Sequence, residues 1–259
     1  MHALKVIVTG ASSGIGAASA AALAASGAEL VLLDLNQPPA DTPHPFIQVD
    51  IADPASIQAA AEALRAHGPF QGLCNIAGIP PRTDNQNALL QINTLGNIAL
   101  AEAVLDQLSD GASVVSLASR AGSRWQQNPE RVTALLECRL GDELAPLLAR
   151  FPCTEGEAYE WSKEGVIVWS MRRSIAHIRK LRFNTVSPAA VATPILDHFL
   201  QAFAARSGPA EKYVGRSARP EEIGAAVAFL ASPQSSWING IDLCMDGGVS
   251  ADLQLRTYG

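Results

Sequence analysis

Apolar runs of strand length alternate along the chain with longer segments of helical pattern. The runs are rich in Val, Ile and Leu with little polar alternation, which is typical of strands buried on both faces of a parallel sheet. They lie at residues 5–10, 29–34, 46–50, 72–78, 112–119, 181–188 and 241–248. Helical segments separate them near residues 15–26, 54–67, 87–108, 158–180 and 219–232. This order predicts an α/β protein with a Rossmann-type, doubly wound parallel sheet of about seven strands and helices on both faces.

Residues 124–157 interrupt the simple alternation of strands and helices. They contain two short helical patterns, PERVTALLECR and GDELAPLLARF, between the fifth predicted strand and the next long helix. The chain has no internal repeat and no low-complexity linker. We therefore expect a single domain over residues 1–259, with residues 124–157 as a helical insertion, called the excursion below.

Composition narrows the classes of partner. Of the 259 residues, 48% are hydrophobic and 17% are charged, which suits a well-buried globular protein. The net charge is −6 and no Lys/Arg-rich run occurs, so we expect no nucleic-acid partner. The four cysteines and five histidines are scattered, without C-x-x-C pairs or Cys/His clusters. We expect free thiols and no metal site.

The beginning of the chain favours a cytoplasmic protein. MHALKVIVTG leads directly into a strand pattern without the features of a signal peptide. The apolar stretch 17–33 is interrupted by Gly27 and Glu29, and it reads as a buried helix followed by a strand. We therefore expect no membrane partner.

The segment TGASSGIG joins the first predicted strand to the first predicted helix. Its Gly10, Gly14 and Gly16 lack a Cβ atom, so the chain can turn tightly and its backbone can approach a pyrophosphate. The N–H groups at the start of the helix then face that anion. A turn with a purely structural role is the alternative, but the position between strand and helix favours a dinucleotide site.

Asp34 ends the second predicted strand, 18 residues after Gly16. A carboxylate at this place accepts hydrogen bonds from the ribose hydroxyls of NAD and repels the 2′-phosphate of NADP. The neighbouring Ser13 and Leu35 carry no positive charge that offsets the repulsion, so NAD is the predicted cofactor. A solvated residue at a strand end is the alternative. Asp50 closes the third predicted strand and is a candidate contact to the adenine amino group.

Tyr159 and Lys163 lie four residues apart in AYEWSKEGV and therefore share one helix face. The same stripe continues through Ile167, Met171 and Ile175, which predicts that it points toward the sheet. A lysine on an inward stripe is costly unless its ammonium group finds a partner, and cofactor ribose hydroxyls provide one. A core tyrosine beside a lysine that reaches solvent is the alternative.

Charge near the tyrosine suggests acid–base chemistry. The Lys163 ammonium group and an oxidised nicotinamide both favour phenolate, so we expect the pKa of Tyr159 to fall below its usual value of about 10. The phenol then becomes a general acid/base near neutral pH. Ser119, at the carboxyl end of the fifth predicted strand, can hydrogen-bond the same substrate oxygen.

Taken together, these motifs resemble the short-chain dehydrogenase/reductase family over residues 4–250. The resemblance rests on several segments in the family's order, which are TGASSGIG, NIAG (75–78), INTLG (92–96), VVSLASRAG (114–122), YEWSK, NTVSPAAVATP (184–194) and DGG (246–248). Two positions depart from the family pattern, because Ala189 stands where glycine is usual and Ala118 where serine is frequent.

The resemblance implies a catalytic tetrad of Asn93, Ser119, Tyr159 and Lys163. Tyr159 would take the hydroxyl proton as hydride passes to NAD, Lys163 would hold the nicotinamide ribose, and Asn93 would hold a water that relays protons. It also implies a set of cofactor-binding residues, shared with Tyr159 and Lys163, which are Gly10, Ser12, Ser13, Gly14, Ile15, Gly16, Asp34, Asp50, Ile51, Asn75, Ala77, Gly78, Pro188, Val191 and Thr193.

The 40-residue gap from Ser119 to Tyr159 is longer than in most members of the family. It resembles the branch that oxidises aryl or allylic alcohols such as coniferyl alcohol to the aldehyde, and also the 3α-hydroxysteroid dehydrogenase/carbonyl reductase branch. A non-catalytic NAD-binding regulator is the alternative of another class.

Trp125 is a candidate aromatic wall of the substrate pocket or a core residue. An apolar stripe after Thr193 is a candidate lid over an apolar or aromatic substrate, formed by Ile195, Leu196, Phe199, Leu200 and Phe203.

The excursion has two interpretations. It shapes the substrate pocket, or it covers the helix faces at 87–108 and 158–180, which in many family members form a four-helix contact between subunits. Covering them would leave a contact through residues 219–250, so we expect a homodimer.

Overall fold

The protein, represented by a computed structural model, is described over residues 4–203 and 214–256. The strands are β1 (Lys5–Thr9), β2 (Glu29–Asp34), β3 (Phe46–Gln48), β4 (Phe70–Asn75), β5 (Leu108–Leu117), β6 (Arg182–Pro188) and β7 (Asp242–Met245). The helices are α1 (Gly14–Ala25), α2 (Pro54–Leu64), α3 (Gln86–Leu90), α4 (Asn97–Val104), α5 (Pro129–Glu137), α6 (Ala145–Arg150), α7 (Glu155–Ala176), α8 (Leu196–Ala202), α9 (Pro220–Ala231) and α10 (Val249–Leu255).

The strands form one parallel, seven-stranded sheet in the order β3-β2-β1-β4-β5-β6-β7. Successive residues of β1 point to opposite faces, and Val6, Ile7 and Val8 are all fully buried. This two-sided burial explains the apolar runs in the sequence. The strand order reverses between β1 and β4, so a crevice opens at their carboxyl ends. The predicted doubly wound sheet is confirmed.

Helices cover both faces of the sheet. On one face, α1 and α9 pack against residues such as Val8 and Val186. Their backbones touch at Gly224, where an added Cβ atom would lie 2.7 Å from the carbonyl group of Ala18. On the other face, α2, α4 and α7 pack against β4 and β5, with Trp169 of α7 in edge contact with Phe183. Glycine at position 224 is therefore needed for the close packing of α1 on α9.

Two predicted helices differ from those observed. The helix expected over 87–108 is α3 and α4 joined by a π-helical turn at Gln91–Gly96, and β5 already begins at Leu108. An added Cβ atom at Gly96 would collide with the Ile51 carbonyl oxygen, so this turn packs directly on the loop after β3. The inward stripe of α7 includes Ile167, which is fully buried, but it ends before Ile175, which is 69% exposed near the last turn.

The excursion packs on the outer side of α3 and α7. Val132 and Leu135 of α5, with Leu144 before α6, form a buried apolar cluster with Leu90 and Trp161. The indole Nε1 of Trp161 donates a hydrogen bond of 2.8 Å to the carbonyl oxygen of Arg131. These contacts match the interpretation in which the excursion covers the helix faces.

A buried ion pair fixes the excursion to α7. The Glu164 side chain is 1% exposed, and its Oε2 accepts hydrogen bonds from Arg131 Nη2 at 2.8 Å and Nε at 3.0 Å. Its Oε1 accepts one from Asn128 Nδ2 at 2.7 Å. Burial raises the pKa of Glu164, although Arg131 and Asn128 act in the opposite direction. Removing one partner of such a pair costs roughly 3–5 kcal/mol, so this contact anchors the residue next to Lys163.

Trp125 packs on Ala118, Val166 and Ile167, so of its two predicted roles it has that of a core residue and not that of an aromatic wall.

Among the described residues, Gln86–Gln107 is long and apolar enough to cross a membrane, but 56% of its most apolar window is buried in the protein core. The four cysteines are free, and within the described ranges no group of three or more His, Cys, Asp or Glu side chains is placed to hold a metal ion.

Candidate active site

A cavity of about 500 Å³ opens at the carboxyl ends of β1, β2, β4, β5 and β6. It extends from the loop after β1 to helix α8. Most of the predicted site residues line it, namely Gly10, Ser13, Gly14, Ile15, Gly16, Asp34, Asp50, Ile51, Ala77, Gly78, Ser119, Tyr159, Lys163, Pro188, Val191 and Thr193. Three predicted residues, Ser12, Asn75 and Asn93, do not line it, and their side chains hold its walls instead.

The glycine loop forms one end of this cavity. Gly10 and Gly14 have φ angles of 65° and 53°, in the left-handed region that side chains rarely adopt. An added Cβ atom at Gly16 would collide with the carbonyl oxygen of Gly10, so the first turn of α1 folds back onto the loop. The N–H groups at the start of α1 thus face the cavity where a pyrophosphate can bind.

Asp34 is held in place by the same loop. Its Oδ2 accepts a hydrogen bond of 2.9 Å from the backbone N–H of Ser12, and its Oδ1 accepts one of 2.9 Å from the N–H of Asn36. The Ser12 hydroxyl donates a hydrogen bond of 2.6 Å to the Asn36 carbonyl oxygen. Ser12 therefore orients Asp34, whose remaining lone pairs can accept from ribose hydroxyls.

Two asparagines support the wall between β4 and α4. Asn75 is buried beneath the cavity and donates a hydrogen bond of 2.9 Å from Nδ2 to the carbonyl oxygen of Asn97. Asn93 lies in the π-helical turn and is fully buried. Its Oδ1 accepts from the Ile79 N–H at 2.8 Å, and its Nδ2 donates to the Ile79 carbonyl oxygen at 3.0 Å. Both amide groups therefore shape the 75–79 segment from behind.

Tyr159, Lys163 and Ser119 come together at the other end of the cavity. Tyr159 and Lys163 are 7% and 4% exposed, on the inward face of α7. The Lys163 Nζ atom lies 5.7 Å from the centroid of the Tyr159 ring and donates a hydrogen bond of 2.9 Å to the Leu117 carbonyl oxygen. The Ser119 hydroxyl accepts a hydrogen bond of 3.2 Å from the Ala121 N–H and donates one of 3.5 Å to the Pro188 carbonyl oxygen.

The pKa values of this pair move in a direction that the sequence did not predict. Burial raises the pKa of Tyr159 to about 12, while the neighbouring Ser119 hydroxyl acts weakly in the opposite direction. Burial also lowers the pKa of Lys163 to about 8. The expected lowering of the phenol pKa is thus not a property of the protein groups by themselves, because desolvation outweighs the effect of the Ser119 hydroxyl.

Helix α8 forms an apolar wall beside the phenol. Phe199 and Phe203 meet the Tyr159 ring edge-on, with ring centroids 5.0 and 6.0 Å away. All five apolar residues of the predicted lid line the cavity, which are Ile195, Leu196, Phe199, Leu200 and Phe203. The arrangement brings an acid–base group, a hydroxyl donor and a water-excluding surface to one place.

Sequence reasoning missed several lining residues after Ser119 and Tyr159. Arg120, Ser123, Arg124 and Glu160 all line the cavity. In the sequence, only their position next to predicted catalytic residues pointed to them. Charged residues beside a strand end usually face solvent, so this position did not predict that they line a cavity. They add charge to a wall that the sequence presented as apolar.

Comparison with known proteins agrees with this geometry. A family profile described as short chain dehydrogenase matches residues 4–130, and one described as Enoyl-(Acyl carrier protein) reductase matches residues 146–250. Coniferyl-alcohol dehydrogenase of Pseudomonas sp. (strain HR199 / DSM 7063) is 35% identical over 255 residues, covering 95% of this chain and 96% of its own length. The 3-alpha-hydroxysteroid dehydrogenase/carbonyl reductase of Comamonas testosteroni is 29% identical over 263 residues, covering 95% and 96%.

A solved structure shares the fold over nearly the full chain. The 3-alpha-hydroxysteroid dehydrogenase from Pseudomonas sp. B-0831, complexed with NADH, superposes with a TM-score of 0.82 at 29% identity, covering 97% of this chain and 99% of that one. The sequence relatives, the family profiles and the fold agree on one assignment. The chain belongs to the short-chain dehydrogenase/reductase family and is an oxidoreductase that acts on CH–OH groups.

Proposed function

We propose that the protein is an NAD-dependent dehydrogenase that oxidises an aryl or allylic alcohol, such as coniferyl alcohol, to the aldehyde. The apolar wall of α8 beside Tyr159 carries this proposal, because the phenylalanine edges there suit a flat, apolar substrate. The 35% identity to a coniferyl-alcohol dehydrogenase supports it. The whole reaction takes place within one domain, residues 1–259.

The residues around the cavity fit the cofactor that the proposal requires. The glycine loop and the start of α1 would hold the pyrophosphate, and Asp34 the adenosine ribose. Asp50, Ile51, Ala77 and Gly78 all line the cavity. Asp50 and Ile51 would contact the adenine, and Ala77 and Gly78 would border the cofactor between its two ends. Pro188, Val191 and Thr193 would contact the nicotinamide, which accepts hydride when NAD is bound.

Each catalytic residue has a role that its position supports. Ser119 donates a hydrogen bond to the substrate oxygen and orients the carbinol toward the nicotinamide. Tyr159 takes the hydroxyl proton as a general base. Lys163 holds the nicotinamide ribose and adds positive charge beside the phenol, which favours phenolate.

Asn93 completes the tetrad through a water site. A Cβ atom added at Gly78 would lie 3.0 Å from Asn93 Oδ1 and 3.8 Å from Lys163 Nζ, so the missing side chain leaves both polar atoms bordering one small space. We assign to this space a relay water, held by Asn93, that passes protons from Lys163 to solvent.

Steroid or ketone turnover is the second candidate function. The solved 3-alpha-hydroxysteroid dehydrogenase with a TM-score of 0.82 favours it. The apolar wall of α8 also suits a steroid ring system. A panel of aryl alcohols, steroids and ketones, compared by kcat/KM, separates the two candidates.

A homodimer in the cytoplasm completes the proposal. The excursion covers α3 and α7, whereas the last part of the chain keeps apolar side chains in solvent. Trp237 is 99% exposed, and Phe229 and Ile241 are exposed nearby in the sequence, next to the edge strand β7. Aromatic residues on an exposed surface favour an interface between subunits.

Tyr159→Phe should reduce the rate of NADH formation from coniferyl alcohol by a factor of about 10² or more, because it removes only the general base. The ring contacts with α8 remain, so NAD should bind within twofold of the wild-type affinity in a fluorescence titration. Turnover that survives this change would contradict the assigned mechanism.

Asp34→Ala should raise the KM for NAD by about tenfold or more and narrow the preference for NAD over NADP, since ribose acceptors and the repulsive charge are lost together. The matched control is Asp50→Ala, which should change the KM without changing the NAD/NADP ratio. Equal kcat/KM for NAD and NADP in the wild-type enzyme would refute the role of Asp34.

Trp237→Asp should convert the dimer to a monomer in light scattering, because it places a charge in an apolar contact. Arg139→Asp, on the exposed part of the excursion, should leave the dimer intact. A wild-type tetramer built on the α7 helices is the outcome that would overturn the proposed assembly.

A further inference from the structure

Two arginines lie at the substrate end of the cavity. Arg120 directly follows Ser119 and is half-buried, and Arg124 lies one turn further on and is exposed. Both line the same cavity as Tyr159 and the apolar residues of α8. The lining of the cavity therefore includes two arginines as well as the apolar residues of α8.

Among the described residues, neither guanidinium group has a neutralising partner. Over residues 4–203 and 214–256, neither side chain donates a hydrogen bond or forms an ion pair within 4.0 Å. Other arginines differ, since Arg131 binds Glu164 and Arg216 binds Glu222. Glu160 also lines this end of the cavity, but it forms no ion pair with either arginine.

The phosphates of a dinucleotide do not explain these two charges. The glycine loop follows β1, whereas Arg120 and Arg124 follow β5, two strands away in the sheet. Asp34 lies still further from them, at the end of β2. The positive charge therefore lies on the substrate side of Ser119 and Tyr159.

Positive charge beside an apolar surface selects a particular kind of molecule. A guanidinium group at the edge of a low-dielectric pocket attracts anions more strongly than one in open water. Its planar fork of donors matches the two oxygens of a carboxylate. A molecule that satisfies the whole cavity thus has a carbinol at Tyr159, an apolar body along α8 and an anionic group at the arginines.

We propose that the preferred substrate is an apolar alcohol, or the corresponding aldehyde, that carries a carboxylate remote from the reacting carbon, bound by Arg120 and Arg124. The proposal rests on the proposed alcohol dehydrogenase activity and specifies its substrate class. Arg120 contributes more than Arg124, because the half-buried guanidinium group is less screened by water and salt.

Matched substrates test the carboxylate directly. The acids are 4-(hydroxymethyl)benzoate and 4-(hydroxymethyl)cinnamate, and each is compared with its methyl ester. The two acids place the carboxylate at two different distances from the same ring and carbinol. NADH formation gives kcat/KM for each compound. The wild-type enzyme should prefer at least one acid over its ester by about tenfold or more, and added NaCl should reduce that preference.

Substitutions of the arginines show which side chains cause the preference for the acid over its ester. The double variant Arg120→Gln/Arg124→Gln should lower kcat/KM for the preferred acid by about 10- to 100-fold, chiefly through KM, and leave the ester within twofold. Arg120→Gln should account for most of the loss, and Arg120→Lys should restore part of it. Arg139→Gln, an exposed arginine of the excursion outside the cavity, should change neither compound.

The outcomes distinguish this proposal from the proposed function. Suppose that the wild-type enzyme oxidises coniferyl alcohol and the esters. The carboxylate proposal is then overturned if neither acid is preferred over its ester, or if the double variant keeps the preference. The proposed alcohol dehydrogenase activity stands in both cases. Absence of turnover of all these alcohols in the wild-type enzyme overturns the proposed function, and the carboxylate proposal with it.

Discussion

The burial of Lys163 beside Tyr159 is the constraint on which the site depends. An ammonium group that is 4% exposed finds a single backbone acceptor, the carbonyl oxygen of Leu117, among the described residues. Burial disfavours both charged forms, so the pKa of Lys163 falls to about 8 and that of Tyr159 rises to about 12. The phenol therefore stays protonated near neutral pH in the protein alone. Its use as a general base at that pH requires a positive charge, which the oxidised cofactor would deliver.

The surrounding fold keeps this costly arrangement in place. Gly122 packs against α7 so closely that an added Cβ atom would lie 2.8 Å from the backbone carbon of Lys163. The next residue of α7, Glu164, is tied to the excursion by Arg131. The strand end that carries Ser119 and the helix that carries Tyr159 thus meet backbone to backbone, which fixes the two hydroxyl groups relative to each other. The excursion both covers α7 and supports the pair of residues on its inner face.

The sheet and the nucleotide end could be predicted because their physical signals are local. Strands buried on both faces leave unbroken apolar runs, and the loop after β1 needs glycine at fixed positions. The π-helical turn at Gln91–Gly96 was not predicted, since it leaves no periodicity of its own. Motif position located Asn75 and Asn93 without revealing that their amides hydrogen-bond backbone carbonyl groups of the protein. Burial depth decides the Tyr159 pKa. The place of Arg120 in the lining of the cavity distinguishes it from a solvated arginine, so neither property could be deduced from sequence.

We infer that the charge of the oxidised cofactor, rather than the protein alone, makes Tyr159 a usable base. The most direct measurement is the ultraviolet difference titration of tyrosinate, wild type minus Tyr159→Phe, for the free enzyme and for its complexes with NAD and NADH. The account predicts that the Tyr159 signal appears above pH ~10.5 in the free enzyme, because burial raises its pKa above the ordinary value of about 10. It should appear well below pH ~10 with NAD, whose ring is positive, and at a higher pH with NADH, whose ring is neutral. A signal that appears at the same pH in all three states, or below pH ~10 in the free enzyme, would contradict the account.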